Sequence, residues 1–387
     1  MSQRPDLHLI FLFPQVWSPE KVNFAQRFRL LSSFAHGEIL TPTGKYRDGD
    51  AFGRFRIFSE PLGGTWKSFL VRLRLQILRP LRTNRRGSVH AVITYDPYAS
   101  GLNGVLLKWL LGARLVIELN GDYHEHPPGT SAAKRWLMQR LFMFCLRRAD
   151  AVKVLNRSQE EFVRRSCPGK AVFRFCDFVA ESFFRSLEGY DGGYFLSVGY
   201  PFASKGIGEL VQAFRKLAVD QPQIALRIMG HSDPKERDHY QRLAGDAGRL
   251  EFVAPGWIED VGEQIRGCLA LVNAAHFEAM GRVHLEAMAC SKPVVATRTN
   301  GGRDYIVDGV TGLLCEIRDP DDLAAKMRLL LTDRERAGRL GRAGSAHLER
   351  EHGEQRYTEH LVAMLNAVVR PVGTEKVTGG AASAPSR

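Results

Sequence analysis

Two short apolar runs, residues 269–272 and 293–296, bracket a stretch of helical periodicity, and no other part of the chain constrains its fold as tightly. The first run reads as the end of a buried strand. Residues 273–280 read as a loop, and Gly281 gives the backbone room to turn. Val283, Ala287 and Cys290 fall at helical spacing, which predicts a helix over 282–290. The second run is the next strand, and Asn300-Gly301-Gly302 is the turn after it.

The chemistry of this stretch lies in two carboxylates. Glu278 stands in the loop before the helix and Glu286 about one turn inside it, with seven residues between them. The backbone N–H groups near Gly281, Arg282 and Val283 form a helix N-terminus, a natural place for an anion. Two acceptors flanking a phosphate cradle suit a nucleotide-sugar. One carboxylate meets sugar hydroxyls, the other ribose hydroxyls, and the amides meet the diphosphate.

The residues Glu278, Gly281, Glu286-Ala287-Met288-Ala289, Pro293-Val294-Val295-Ala296-Thr297, Gly301-Gly302 and Asp308-Gly309-Val310-Thr311-Gly312-Leu313-Leu314 resemble the Glu-x7-Glu pattern of the retaining glycosyltransferases of family 4. Residues 197–214 are similar to a second motif of that family, V-G-R-x-x-x-x-K-G, whose Arg and Lys hold the donor phosphates. Lys205 and Gly206 match it, and Tyr200 stands where Arg is usual. A phenol donates one hydrogen bond and brings no positive charge, so Arg282 is read as the compensating cation. Gly230-His231 is similar to the family's Gly-x-Gly turn with the second glycine absent. Trp257 falls where relatives bring backbone to the nucleobase; it either stacks on the base or packs in the core. Glu118-Leu119-Asn120-Gly121-Asp122 is similar to the strand-end E-x-H-G/D, with Asn120 in place of the His that reaches the donor sugar. The glycines usual after the first strand are missing from residues 14–19.

The resemblance implies an α/β chain of the GT-B fold. Two Rossmann-like domains with parallel sheets would face each other across a cleft, with a C-terminal helix crossing back to the first. Residues 1–180 would bind the acceptor, 181–193 link the domains, 194–345 bind the nucleotide-sugar, 346–370 form the crossover helix and 371–387 a disordered tail. The implied reaction moves a hexose from a nucleoside diphosphate sugar with retention of anomeric configuration. Lys205, Glu278 and Asn120 are the implied catalytic residues. Tyr200, Lys205, Trp257, Glu278, Met280, Gly281, Arg282, Val283 and Glu286 form the donor side, and Asp96, Asp122 and His124 the acceptor side. The leaving phosphate itself takes the acceptor's proton, so no dedicated base is implied, and the GT-B resemblance implies no metal or other cofactor.

An apolar content of 44% over 387 residues suffices for two cores. No uncharged apolar run reaches the length of a membrane-spanning helix. Residues 7–13 are apolar but end at Pro14, and read as a first buried strand and not a signal peptide. Six cysteines without CxxC spacing argue against a disulfide framework or a zinc site and for a reducing cytoplasm. Residues 1–184 hold 28 Lys and Arg against 15 Asp and Glu, whereas residues 185–387 hold 26 against 27. An anionic partner or surface is therefore expected for the first half alone.

Strands are predicted at 7–13, 38–40, 89–94, 114–119 and 151–154, and helices at 22–34, 102–111 and 132–148. The second half restarts with strands at 194–198, 225–229 and 250–253 and helices at 208–217, 235–245, 323–331 and 344–369. Such alternation argues for parallel sheets, which bind ligands beyond the carboxyl ends of their strands. Asp96, Asn120 and Asp122 stand at such ends.

Residues 66–86 hold seven bases and no acid. Trp66, Phe69, Leu70, Leu73, Ile77 and Leu81 fall on one helical stripe that Pro80 breaks near its end. A basic amphipathic helix reads as membrane-surface binding, with anionic headgroups adding about 1 kcal/mol per nearby base. The alternative is a core-facing helix with a solvated basic face. Residues 134–148 repeat the composition more weakly. Nucleic acid is not an expected partner, since no known module is present. Asp122, His124, Glu125 and His126 lack a further ligand cluster and read as a solvated loop; Asp48-Gly49-Asp50 mimics a metal-binding triplet that GT-B enzymes do not need.

The expected partners are a nucleotide-sugar donor, a glycan or polyprenyl-linked acceptor and an anionic membrane surface. The expected location is cytoplasmic, peripheral on the inner face of the cell membrane, in surface polysaccharide assembly. Tyr200 and Asn120 keep a second expectation open, a catalytically impaired nucleotide-sugar or glycan-binding protein. A third, a GT-B epimerase, lacks a recognisable acid/base carboxylate set.

Overall fold

Strands covered by helices on both sides bury both faces, so their sequences read as continuous apolar runs without alternation. LHLIFL, AVIT and ALVN are of this kind. The structure is a computed structural model describing residues 6–14, 22–43, 46–47, 49–62, 65–123, 131–184, 193–246, 249–254 and 258–369.

The first domain runs β1 (Leu7–Leu12), α1 (Val22–Leu31), β2 (Ala35–Thr41), β3 (Ala51–Phe52), β4 (Phe55–Ser59), α2 (Thr65–Arg72), a π-helical segment (Leu73–Leu78), α3 (Arg79–Thr83), β5 (Ala91–Thr94), α4 (Ala99–Leu111), β6 (Arg114–Glu118), α5 (Ala132–Arg148), β7 (Ala151–Val154), α6 (Arg157–Ser166) and β8 (Ala171–Arg174). Its eight strands are ordered β3-β4-β2-β1-β5-β6-β7-β8, and all pair parallel except β3 with β4. The second domain runs β9 (Tyr194–Val198), α7 (Ile207–Ala218), β10 (Ala225–Met229), α8 (Pro234–Ala244), β11 (Arg249–Val253), α9 (Ile258–Gly267), β12 (Ala270–Asn273), α10 (Arg282–Ala289), β13 (Val294–Thr297), α11 (Asn300–Tyr305), β14 (Leu313–Cys315), α12 (Pro320–Thr332), α13 (Arg334–His352) and α14 (Glu354–Val369). Its six strands are ordered β11-β10-β9-β12-β13-β14 and are all parallel.

Each sheet carries apolar clusters on both faces. The π segment, α4 and α5 cover one face of the first sheet. The other face is closed by α1 and, across the whole chain, by Tyr357, Leu361, Met364, Leu365 and Val368 of α14. The last helix thus crosses back onto the first domain.

Several expectations change. Pro80 does not break the helix. The preceding turn widens so that the Arg79 N–H reaches the Arg74 carbonyl, and Pro80 enters α3 at an early position whose N–H has no partner to lose. The apolar stripe accordingly splits: Ile77 is buried, whereas Phe69 and Leu70 are 58% and 57% exposed. The side chain of Trp66 lies outside the described residues, as does the predicted tail. The helix expected at 344–369 is two helices that meet at Gly353. The Asn300-Gly301-Gly302 turn is the first turn of α11, capped by Thr299 Oγ1 accepting from the Gly302 N–H at 3.2 Å.

Because Leu361 is 1% exposed in the first domain's core, Leu361→Ala should cost about 3 kcal/mol. Urea unfolding followed by tryptophan fluorescence checks this; an unchanged midpoint would show that α14 docks without contributing to that core.

Candidate active site

In the second sheet the strand order reverses between β9 and β12, so the loops leaving these neighbours part and open a crevice. The β9 loop carries Lys205 and the β12 loop carries Glu278. Gly206 closes the first loop at φ +63, and a Cβ there would stand 2.0 Å from the Ala274 carbonyl oxygen. Only glycine lets the two loops approach this closely. The aliphatic stem of Lys205 lies across Gly199, and its ammonium meets the Glu278 carboxylate at 2.6 Å. Glu278 also accepts from the Gly281 N–H, and these partners hold its pKa below the ordinary carboxylate value despite its burial. The side-chain anion therefore sits at the mouth of α10, where backbone N–H groups favour negative charge.

Gly281 caps α10 at φ +76, and the ring of His284 lies directly beneath it, 2.2 Å from where a Cβ would stand. Asn273 Oδ1 accepts from the Ala275 N–H at 3.0 Å, which turns its Nδ2 toward His284 Nε2 at 2.8 Å. Nε2 is thus the acceptor and Nδ1 bears the proton, without a partner among the described residues. Burial lowers the His284 pKa to about 4, so the imidazole is neutral. Arg282 Nε donates to Glu286 at 3.0 Å and orients that carboxylate on the same helix. Met280 and Val283 pack against the apolar cluster beneath. Tyr200 is 55% exposed, its ring edge-on to His231.

The first domain faces this crevice with the ends of β5, β6 and β7. Asn120 is exposed and donates to the Tyr95 carbonyl at 3.3 Å. Asp96 accepts from the N–H groups of Tyr98 (2.8 Å) and Ser100 (3.3 Å), so its carboxylate serves the start of α4. Asp122 Oδ1 accepts from Asn156 at 3.0 Å and Gln159 at 3.1 Å, and its Oδ2 from Asn300 of the second domain at 3.2 Å. Trp257, His124 and Asp48 lie outside the described residues. Among the described residues no three His, Cys, Asp or Glu side chains gather as a metal site.

Below these strand ends lies a charge cluster that sequence reasoning missed. Arg27 of α1 meets Glu118 at 2.6 Å, and Lys153 meets Asp177 at 2.9 Å and Glu118 at 3.5 Å. Arg27, Glu118 and Lys153 are wholly buried. Lys153 and Arg27 hold the Asp177 pKa far below the ordinary range. A lone lysine in the apolar strand AVKV was the available signal, because a buried cation requires a buried anion.

The family model for group 1 glycosyl transferases matches residues 179–347, and that for the glycosyl transferase 4-like domain matches residues 29–172. The chain belongs to the family-4 glycosyltransferases. It is 35% identical over 153 residues to a D-inositol 3-phosphate glycosyltransferase of Geodermatophilus obscurus, covering 36% of this chain and 34% of that one. It is 29% identical over 178 residues to the lipopolysaccharide core biosynthesis glycosyltransferase LpsE of Rhizobium meliloti, covering 45% and 50%. The chain thus spans half or less of these two relatives. The Anabaena protein HepE, solved in complex with UDP, superposes with a TM-score of 0.72 over 93% of this chain and 100% of that one, at 14% identity. The fold of this family-4 glycosyltransferase is GT-B.

Glu278 links the site to acid stability. With a lowered folded pKa, its contribution is complete above about pH 4.3 and is lost as pH falls through that lowered value. Melting temperature followed downward from about pH 4.3 should fall more steeply in the wild-type chain than in Glu278→Gln. Equal slopes would show that the ion pair contributes nothing to the fold.

Proposed function

We propose that this chain transfers a hexose from a nucleoside diphosphate sugar to a glycan or lipid-linked glycan, with retention of configuration. The observation that carries the proposal is the meeting of Lys205 and Glu278 at 2.6 Å beside the α10 N-terminus, across the switch point of a parallel sheet. A diphosphate entering this crevice displaces one anion with another. Lys205 and the amides near Gly281 then stabilise charge on the leaving diphosphate as the glycosidic bond breaks, which is the main catalytic effect. Glu286, oriented by Arg282, accepts from ribose hydroxyls, and the released Glu278 accepts from hydroxyls of the donor sugar. The diphosphate oxygen takes the acceptor's proton, so no separate base is needed, and the proposed reaction uses no metal. HepE with its bound UDP and LpsE with its role in lipopolysaccharide core biosynthesis support a nucleotide donor and a surface-glycan acceptor.

We further propose that the first domain works against the inner face of an anionic membrane. Phe69 and Leu70 of α2, Trp109 and Leu110 of α4, and Trp136 and Leu137 of α5 are all exposed. Arg140 lies 5.2 Å from the Trp136 ring, and Arg148 lies 5.3 Å from that of Trp109. Aromatic groups flanked by guanidinium suit the headgroup layer of an anionic bilayer. No helix among the described residues is long and apolar enough to cross a membrane.

Exposed Tyr200, in place of a basic residue, favours one other reading: a chain that binds nucleotide-sugars without turning them over.

Release of nucleoside diphosphate from UDP-, GDP- and ADP-sugars, measured in EDTA with and without lipid-linked glycan extract, tests the reaction. One donor class should be consumed, and Lys205→Ala should lower the rate by a factor of about 100. Binding without turnover would favour the second reading. In flotation assays the wild-type chain should rise with phosphatidylglycerol vesicles, and the pair Trp109→Ala, Trp136→Ala should remain behind. Equal recovery of both would contradict the membrane assignment.

A further inference from the structure

Asn156 ends the loop after β7 in the first domain and is wholly buried. Its Oδ1 accepts from the Gln159 N–H at 2.8 Å, capping α6. That bond fixes the amide, so Nδ2 must point the other way. It donates to Asp122 Oδ1 at 3.0 Å and to the Ala279 carbonyl of the second domain at 2.9 Å. Ala279 lies between Glu278 and the Met280–Gly281 peptide, within the loop that presents the anion-binding amides. The same loop is held from behind, where the Glu278 carbonyl accepts from the Gly301 N–H at 2.7 Å. Asn300, the neighbour of Gly301, donates to Asp122 at 3.2 Å. Asp122 and Asn156 thus grip both sides of one second-domain loop.

We propose that Asn156 is a positioning residue for the transfer reaction: its side-chain amide ties the closed arrangement of the two domains to the geometry of the loop that receives the donor diphosphate. When the domains part, the Ala279 carbonyl loses its donor and the loop is free to turn. When they close, Asn156 sets the peptide planes that aim the Gly281 amide at the crevice. Donor binding and domain closure then favour one another, because each is completed by the same hydrogen bond. The inference rests on the donor reading above, since it gives that loop a diphosphate to hold.

The test separates the loop bond from simple packing. Asn156→Ser keeps an oxygen to cap α6, adds no charge and withdraws the amide nitrogen from Asp122 and Ala279. Gln159→Ala removes side-chain bonds with Gly121, Asp122 and Leu155, all within the first domain, and leaves in place the bond from Asn156 to Ala279. Melting temperature and the Kd values for UDP, GDP and ADP are measured by calorimetry on the full chain and both variants. Asn156→Ser should weaken the nucleotide that binds by roughly fivefold, the value of one hydrogen bond. Gln159→Ala should lower the melting temperature while its Kd stays at the wild-type value. Equal weakening of Kd in Gln159→Ala, or an unchanged Kd in Asn156→Ser, would overturn the proposal and leave the donor reading standing. Failure of the wild-type chain to bind any of the three would remove the donor reading and this inference with it.

Discussion

A helix that begins in a crevice between two strands needs a negative charge at its mouth, and here Glu278 supplies it. The carboxylate is shared between Lys205 and the Gly281 N–H, which joins the loops after β9 and β12 through one ion. Much of the second domain serves this junction. Gly206 and Gly281 each adopt a backbone that side chains disfavour, and each lies where a Cβ would strike a neighbour. His284 fills the space under Gly281 and stays neutral, so it adds no second cation to compete for the acid. A phosphate could take over the partners of Glu278, the Lys205 ammonium and the Gly281 N–H. On the proposed reading, the Glu278 carboxylate stands where a donor diphosphate would sit.

The first domain solves a different problem. Its strand ends must approach the crevice and still leave it open. The buried cluster of Arg27, Glu118, Lys153 and Asp177 fixes the ends of β6 and β7 to α1 and to the segment that leads out of the domain. Charges placed this deep give little net stability, yet removing one partner strands the others, so the arrangement is rigid. The α14 helix packs its apolar face on the same side of the sheet and couples the end of the chain to that rigidity. On the opposite side, α2, α4 and α5 leave aromatic and basic groups in solvent. Both faces of the sheet are covered, and it is the outer sides of these helices that carry the exposed groups.

Legibility followed distance along the chain. Glu278, Gly281 and Glu286 lie within nine consecutive residues, so their grouping could be read locally, whereas Lys205, 73 positions away, joined them through the family resemblance. The long apolar strands were equally plain. The two-residue strand Ala51–Phe52 was not, because two residues set no period. Nor was α6, whose sequence RSQEEFVRRS contains a single fully buried apolar side chain, Val163. The stripe on residues 66–81 was real in composition but not in space, since a π turn rotates one part of it into the core. Partnerships between distant residues were invisible. Asp122 has the chemistry of an acceptor-side acid, and only the folded chain shows its oxygens taken by Asn156, Gln159 and Asn300. Asn156 and Ala279 stand 123 positions apart, and nothing in either local sequence points to the other.

The central claim is that the crevice between β9 and β12 receives a nucleoside diphosphate on Lys205 and Glu286. A thermal-shift panel with UDP-, GDP- and ADP-sugars, run on the wild-type chain, Lys205→Ala and Glu286→Ala, tests it most directly. Stabilisation by one nucleotide class, lost in both variants, is the predicted result. No stabilisation by any donor, or stabilisation that survives in both variants, would contradict the account.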